Sequence, residues 1–230
     1  MVRALRRPLA TALHTFGDNR LKRGSHLFNY PSRSRIKTHI FSQEQYLFSE
    51  REVSQLLLDP VPPDVEEGLD TTARRFSWPE AQSFFDIKNY LPEELLVKVD
   101  RASMHHSLEV RVPFLDHRIV EFALNLSPDL KLKGGTGKYI LKEVLYDYIP
   151  PAYFNRPKWG FAVPLRVWLK SDLKYLIDDY LSKEVVEEIG LVHYGVVDKL
   201  KKGYFSGADY LYNRLWALIL LHKWVAEKGL

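Results

Sequence analysis

The chain has no cysteine, which excludes a disulfide framework, a thiolate metal site, an iron–sulfur cluster and a cysteine nucleophile, and fits a reducing compartment. No apolar run approaches the roughly 18 to 20 residues that a membrane-spanning helix needs. The most apolar stretch, Leu211 to Val225, is interrupted by Asn213, Arg214, His222 and Lys223. An integral membrane protein is therefore excluded, and a cytoplasmic location is the expectation. Thirteen prolines and twelve glycines in 230 residues are too few for a collagen-like or wholly disordered chain. The eight histidines are scattered, and His105 and His106 are neighbours that point different ways on a helix, so no metal site is expected. An excess of one charge is also missing: a formal net charge of +4 permits a phosphate-bearing partner without demanding one. What is present, 46% hydrophobic and 27% charged residues, suffices for one full core or two small ones.

The charge is unevenly placed. Met1 to Lys37 holds nine basic residues against the single acid Asp18. A transit peptide, a basic arm for nucleic acid and an amphipathic helix with solvated arginines all fit that composition. The helical spacing of Leu5, Leu9, Ala12, Leu13 and Phe16 suits the first and third. Aromatic interleaving is sparse, so nucleic acid is not expected as a partner.

From Ser42 the punctuation is helical. Ser42 with Gln45 and Ser49 with Glu52 read as capping boxes, in which a hydroxyl and an acceptor three residues on satisfy orphan amides. Leu58 to Asp70, with Pro60, Pro62, Pro63 and its acids, cannot continue a helix and is expected as an exposed loop. Pro79 can open the next helix, with Ala81, Phe84, Phe85, Ile87 and Leu91 near a 3.6 period. Pro92 reopens it towards His106, with Leu95, Leu96, Val99 and Ala102 on one side and Lys98, Arg101 and His105 on another. An extended link from Glu109 to Leu115 precedes Asp116, the expected N-cap of a helix through Ile119, Val120, Ala123 and Leu124 that Pro128 ends. Further helices are expected near residues 138–148, 171–181, 196–202 and 209–227. The only candidate strand is residues 109–114. The fold class is mainly α, divided into a basic region with its proline-rich acidic loop, residues 1–78, and a helical region, residues 79–230.

Three stretches invite chemistry. Gly134-Gly135-Thr136-Gly137-Lys138 suggests a phosphate loop, but Leu132 and Tyr139 stand where that motif needs glycine and Ser or Thr. A surface turn leading into a helix is the expectation. Lys98, Asp100, Arg101, Glu109, Arg111 and Asp116 crowd around the apolar Val112 to Leu115, which points to a buried or half-buried ion-pair network rather than a ligand site. Asn155-Arg156-Pro157-Lys158-Trp159-Gly160-Phe161 places a lysine on a proline-bracketed loop. There it is either simply solvated or delivers a point charge to a phosphate or a developing negative charge.

The order and spacing of Leu91-Pro92-Glu93-Glu94-Leu95-Leu96-Val97-Lys98-Val99-Asp100-Arg101-Ala102-Ser103-Met104, of Ser107 to His117, of Asn155 to Phe161 and of the closing Arg214-Leu215-Trp216-Ala217-Leu218 resemble the C-terminal part of the synthetase domain of glutamine-hydrolysing asparagine synthetase. The resemblance implies the helical part of an α/β domain of adenine-nucleotide-hydrolase type, its parallel sheet largely missing. It also implies ATP-dependent amidation of aspartate through an aspartyl-adenylate, with ATP and magnesium as cofactors. By the family pattern Lys158 contacts phosphate and stabilises the adenylation transition state. Lys98, Asp100, Arg101, Glu109, Arg111 and Asp116 line or support the aspartate and nucleotide pocket, Glu109 and Arg111 as supports.

The family's glutaminase domain with its cysteine nucleophile is absent, as is the Ser-Gly-Gly-x-Asp-Ser pyrophosphate loop. The expectation is therefore an incomplete domain, inactive alone, whose partners are the missing N-terminal synthetase half and the glutaminase domain. Two alternatives stand beside it. One is a related amide-forming ligase of β-lactam-synthetase type; the other is a non-catalytic helical module that binds a partner chain through a bare face.

Overall fold

The structure, a computed structural model, describes residues 8, 12, 25, 30, 36–45, 47–60, 76–154, 156 and 163–229. The expected helix through Leu5, Leu9, Leu13 and Phe16, most of the proline-rich acidic loop, and Lys158 with its flanking loop lie outside those residues. The chain divides into two compact units: Met1–Glu67 with Ala162–Leu230, and Gly68–Phe161.

The first unit opens with α1 (Ile36–Glu44) and α2 (Glu50–Leu56). Ser49 and Glu52 form the expected capping box. Ser42 does not: it lies inside α1, where its hydroxyl bonds the His39 carbonyl, a local bond a mid-helix serine makes with its own preceding turn. The second unit runs through α3 (Trp78–Lys88), a π-helical stretch (Leu91–Leu96), α4 (Val97–Met104), a 3₁₀ turn (Pro113–Leu115), α5 (His117–Asn125), α6 (Pro128–Lys131), β1 (Leu132–Lys133), β2 (Thr136–Gly137) and α7 (Tyr139–Tyr146). The first unit then resumes with α8 (Leu165–Trp168), α9 (Lys174–Tyr180), α10 (Lys183–Ile189), α11 (Tyr194–Phe205), a 3₁₀ turn (Asp209–Leu211) and α12 (Tyr212–Lys228). The described residues are thus mainly helical. No helix among them is long and apolar enough to cross a membrane.

In the first unit α12 is the central rod. Its buried residues Arg214, Leu215, Leu218, Ile219, His222 and Val225 recur at helical spacing and form one stripe. Packed with that stripe are Leu169, Ile177, Leu181, Val186, Val192, Val197, Tyr204 and Leu211, a core drawn from α8 through α11 and the links between them. Leu56 at the end of α2 joins the same core. It is held there because His193 donates its amide to the Leu56 carbonyl at 2.8 Å and Leu58 donates to Leu191 at 3.0 Å. Ser182 caps α10 by accepting from the Val185 amide, and Gly190 ends it with a positive φ of 66°.

The second unit is built differently. Only Ala81 and Phe85 of its described residues are buried among the apolar side chains. Ser77 caps α3, with Glu80 completing the box one residue earlier than Pro79 alone suggests. Pro92 reopens the helix as expected: after the break at Asn89 it stands in the first turn of the π-helical stretch, which leads directly into α4. Residues 109–114 are not a strand; Pro113 tightens the chain into a 3₁₀ turn. The strand pairing instead occurs at β1 and β2, with Leu132 opposite Gly137 and Lys133 opposite Thr136. Gly134 (φ 54°) and Gly135 (φ 80°) make the two-residue turn, a conformation that glycine reaches without strain.

Candidate functional site

The sequence points first at Lys98 to Asp116. Lys98, Asp100 and Arg101 ride on α4 with their side chains exposed and make no ion pair among the described residues. Glu109 and Arg111 pair with each other at 2.5 Å on the irregular link, both largely in water at 69% and 85% exposure. Asp116 caps α5 by accepting from the Arg118 amide at 3.0 Å. The Arg118 guanidinium grips the same carboxylate twice, Nε to Oδ1 and Nη2 to Oδ2, each at 2.9 Å. Those bonds to Arg118 hold the Asp116 carboxyl below the usual carboxylate range.

The expected ion-pair network is thus present as two separate pairs, and neither is buried. The apolar residues expected beside it are themselves open: Val112, Phe114 and Leu115 are all exposed, as are their apolar neighbours Val99, Leu108, Val110 and Phe122. Arg118, absent from the sequence-based set, is the actual partner of Asp116; the legible signal was an arginine two residues after an N-cap aspartate. His105 and His106 meet edge to face at 5.0 Å, because they lie on the turn after α4 and not within the helix. Among the described residues no group of three or more His, Asp or Glu is placed to hold a metal ion.

The second polar constellation, in the first unit, was not foreseen. Arg214 on α12 is buried, with its side chain 6% exposed, and bonds both carboxylate oxygens of Glu52 on α2, at 2.8 and 3.1 Å. Its Nε and Nη2 also donate to the Leu47 carbonyl, and the guanidinium lies 5.3 Å from the Phe48 ring centre. Every face of this charge is thereby matched, the condition under which a buried ion pair is tolerated. Asp209 receives Lys170 at 2.6 Å and Arg166 at 3.5 Å, and Lys170 lies over the Tyr204 ring. Tyr204 donates its hydroxyl to the Arg166 carbonyl at 2.6 Å, and burial pushes that hydroxyl's pKa up to about 12. Sequence separations of 34 to 167 residues hide these pairs from any local pattern.

These features define a class: a helical chain in which one unit has its own core and the other presents charged pairs beside an open apolar face. The model of the asparagine synthase family matches residues 6–226. The chain belongs to that family. It is similar to glutamine-hydrolyzing asparagine synthetase 1 of Bacillus subtilis (strain 168), at 28% identity over 161 residues, 70% of this chain and 25% of that protein. It is also similar to a putative glutamine-hydrolyzing asparagine synthetase of Mycobacterium bovis, at 33% identity over 141 residues, 61% of this chain and 22% of the other. A third relative is Amidase chyE of Penicillium rubens, at 28% identity over 147 residues, 61% of this chain and 22% of that protein. The chain spans about a quarter of the length of these curated relatives. No solved structure matches.

Proposed function

We propose that this chain supplies the helical part of a glutamine-hydrolysing asparagine synthetase domain and is inactive alone. In that reading residues 79–230 are the synthetase-like helical region and residues 1–78 the basic region before it. The domain's parallel sheet, of adenine-nucleotide-hydrolase type, comes from the N-terminal synthetase half, and ammonia from the glutaminase domain. The reaction is ATP-dependent amidation of aspartate to asparagine through an aspartyl-adenylate, in the cytoplasm, with ATP and magnesium bound mostly by the missing half. The observation that carries the reading is the family match along nearly the whole chain. The open apolar face of the second unit supports it, because a soluble protein exposes contiguous apolar surface chiefly where another element docks.

Lys158 has the chemistry to place a fixed positive charge on phosphate oxygens as they gain charge. Lys98 and Arg101, one helical turn apart on exposed α4 with Asp100 between them, have the reach to meet a polar substrate brought by the other half. Glu109, Arg111 and Asp116 shape the link that follows α4. A second reading is a related ligase acting on another carboxylate; a relative named an amidase leaves room for it, because not every relative is named for asparagine synthesis.

The test is to mix the chain with a separately produced N-terminal synthetase half and ammonia, and to measure AMP formed from ATP with aspartate or other carboxylates. AMP release by the mixture alone, lost in Lys158→Ala, is the expected result. No gain over either piece sinks the proposal, and gain with a carboxylate other than aspartate moves it to the second reading.

A further inference from the structure

The cleft between α2 and α11 in the first unit belongs to none of the chemistry above. It encloses about 510 Å³, within the size range of small-molecule sites. Its floor is the Glu52–Arg214 pair, whose charges are already matched, so the floor neither repels nor demands a counter-ion. Its walls are apolar, from Phe48, Val196, Leu200 and Leu211. Gly203 keeps one end tight: a Cβ there would sit 3.1 Å from Leu211 Cδ1, so that leucine would have to give by a few tenths of an ångström.

The rim is basic. Lys202 is neutralised by Asp198 at 2.6 Å. Lys199, exposed and lining the same cleft, makes no ion pair among the described residues. Tyr210 also lines it. A matched floor, apolar walls and one uncompensated cation at the mouth complement an amphipathic molecule of opposite sign.

We infer that this cleft binds a small amphipathic anion, its apolar body on Phe48, Val196, Leu200 and Leu211 and its carboxylate-like head at Lys199. The site lies wholly within the first unit and is independent of the ligase proposal.

The probe is sodium decanoate, titrated into the isotopically labelled full chain and followed by backbone amide shifts, with decanol and decyltrimethylammonium in parallel. Decanoate is expected to give saturable shifts confined to α2, α11 and residues 206–211, stronger than either control. Lys199→Glu, at an exposed position, is expected to weaken that response by about tenfold. Gln55→Trp, exposed on the α2 wall, narrows the cleft without altering its charge and is expected to abolish the response. Equal response to the cationic probe, an unchanged Lys199→Glu, shifts confined to the apolar surface of α4 and α5, or no response at all each overturns the inference.

Discussion

Arg214 is as buried as the leucines beside it on α12, yet it carries a full charge. Burial of that charge is costly, and the offset comes from Glu52, the Leu47 carbonyl and the Phe48 ring together. Breaking the pair is therefore expected to cost about 3–5 kcal/mol. The cost depends on which charge is stranded: Glu52→Gln leaves the more buried arginine uncompensated and should lower the urea midpoint more than Arg214→Met does. The reverse order would show that the Glu52 side chain, 26% exposed, is the more desolvated partner. Tyr204 makes a pH prediction whose sign follows from its raised pKa. The folded form holds its proton to about 12, while the unfolded side chain releases it near 10. The stabilisation is thus complete below pH 10 and lost as pH rises through about 12. Tyr204→Phe should flatten the stability profile between those values and cost about 1 kcal/mol at neutral pH for the lost bond to the Arg166 carbonyl. Urea unfolding of both proteins from pH 8 upward checks it.

Local signals were legible wherever an element is defined by its own neighbours. Ser49 with Glu52 and Asp116 at the start of α5 declare themselves, because a cap needs only three or four consecutive residues. Ser42 misled because the same spacing also occurs inside a helix, where the hydroxyl turns back on its own carbonyls. The apolar faces of α4 and α5 were legible, but a period of 3.6 marks a face without saying what covers it. On α12 the cover is α8 to α11; on α4 and α5 it is largely solvent, so the ion pairs expected among buried apolar groups stand in water. The charges of that segment stand as separate pairs and not as the expected network, since burial is a property of the fold and not of the segment. The two faces should answer mutation differently. Leu215→Ala is expected to cost about 2–5 kcal/mol in thermal or urea unfolding, because its cavity opens in a packed core. Phe114→Ala, at 61% exposure, should change stability by less than about 0.5 kcal/mol. In the reconstitution assay, however, it should weaken recovery of AMP release. A large stability loss for Phe114→Ala would contradict the view of this face as uncovered.

At the scale of the whole molecule, stability should be unequal. Amides of α9 to α12, beneath the core of the first unit, are expected to exchange with solvent at the slow limit set by global unfolding. Amides of α4, α5 and α7, with no buried side chain among them, should exchange orders of magnitude faster. Hydrogen exchange followed by mass spectrometry measures both in one experiment, and uniform protection would refute the division. The first unit is assembled from both flanks of the second, and Glu52 waits for an arginine 162 positions further along the chain. At about 5–20 residues per second of synthesis, that wait is on the order of 10–30 s. For that interval on the ribosome α2 has neither its ion pair nor its core, and its apolar end is an open invitation to chaperones.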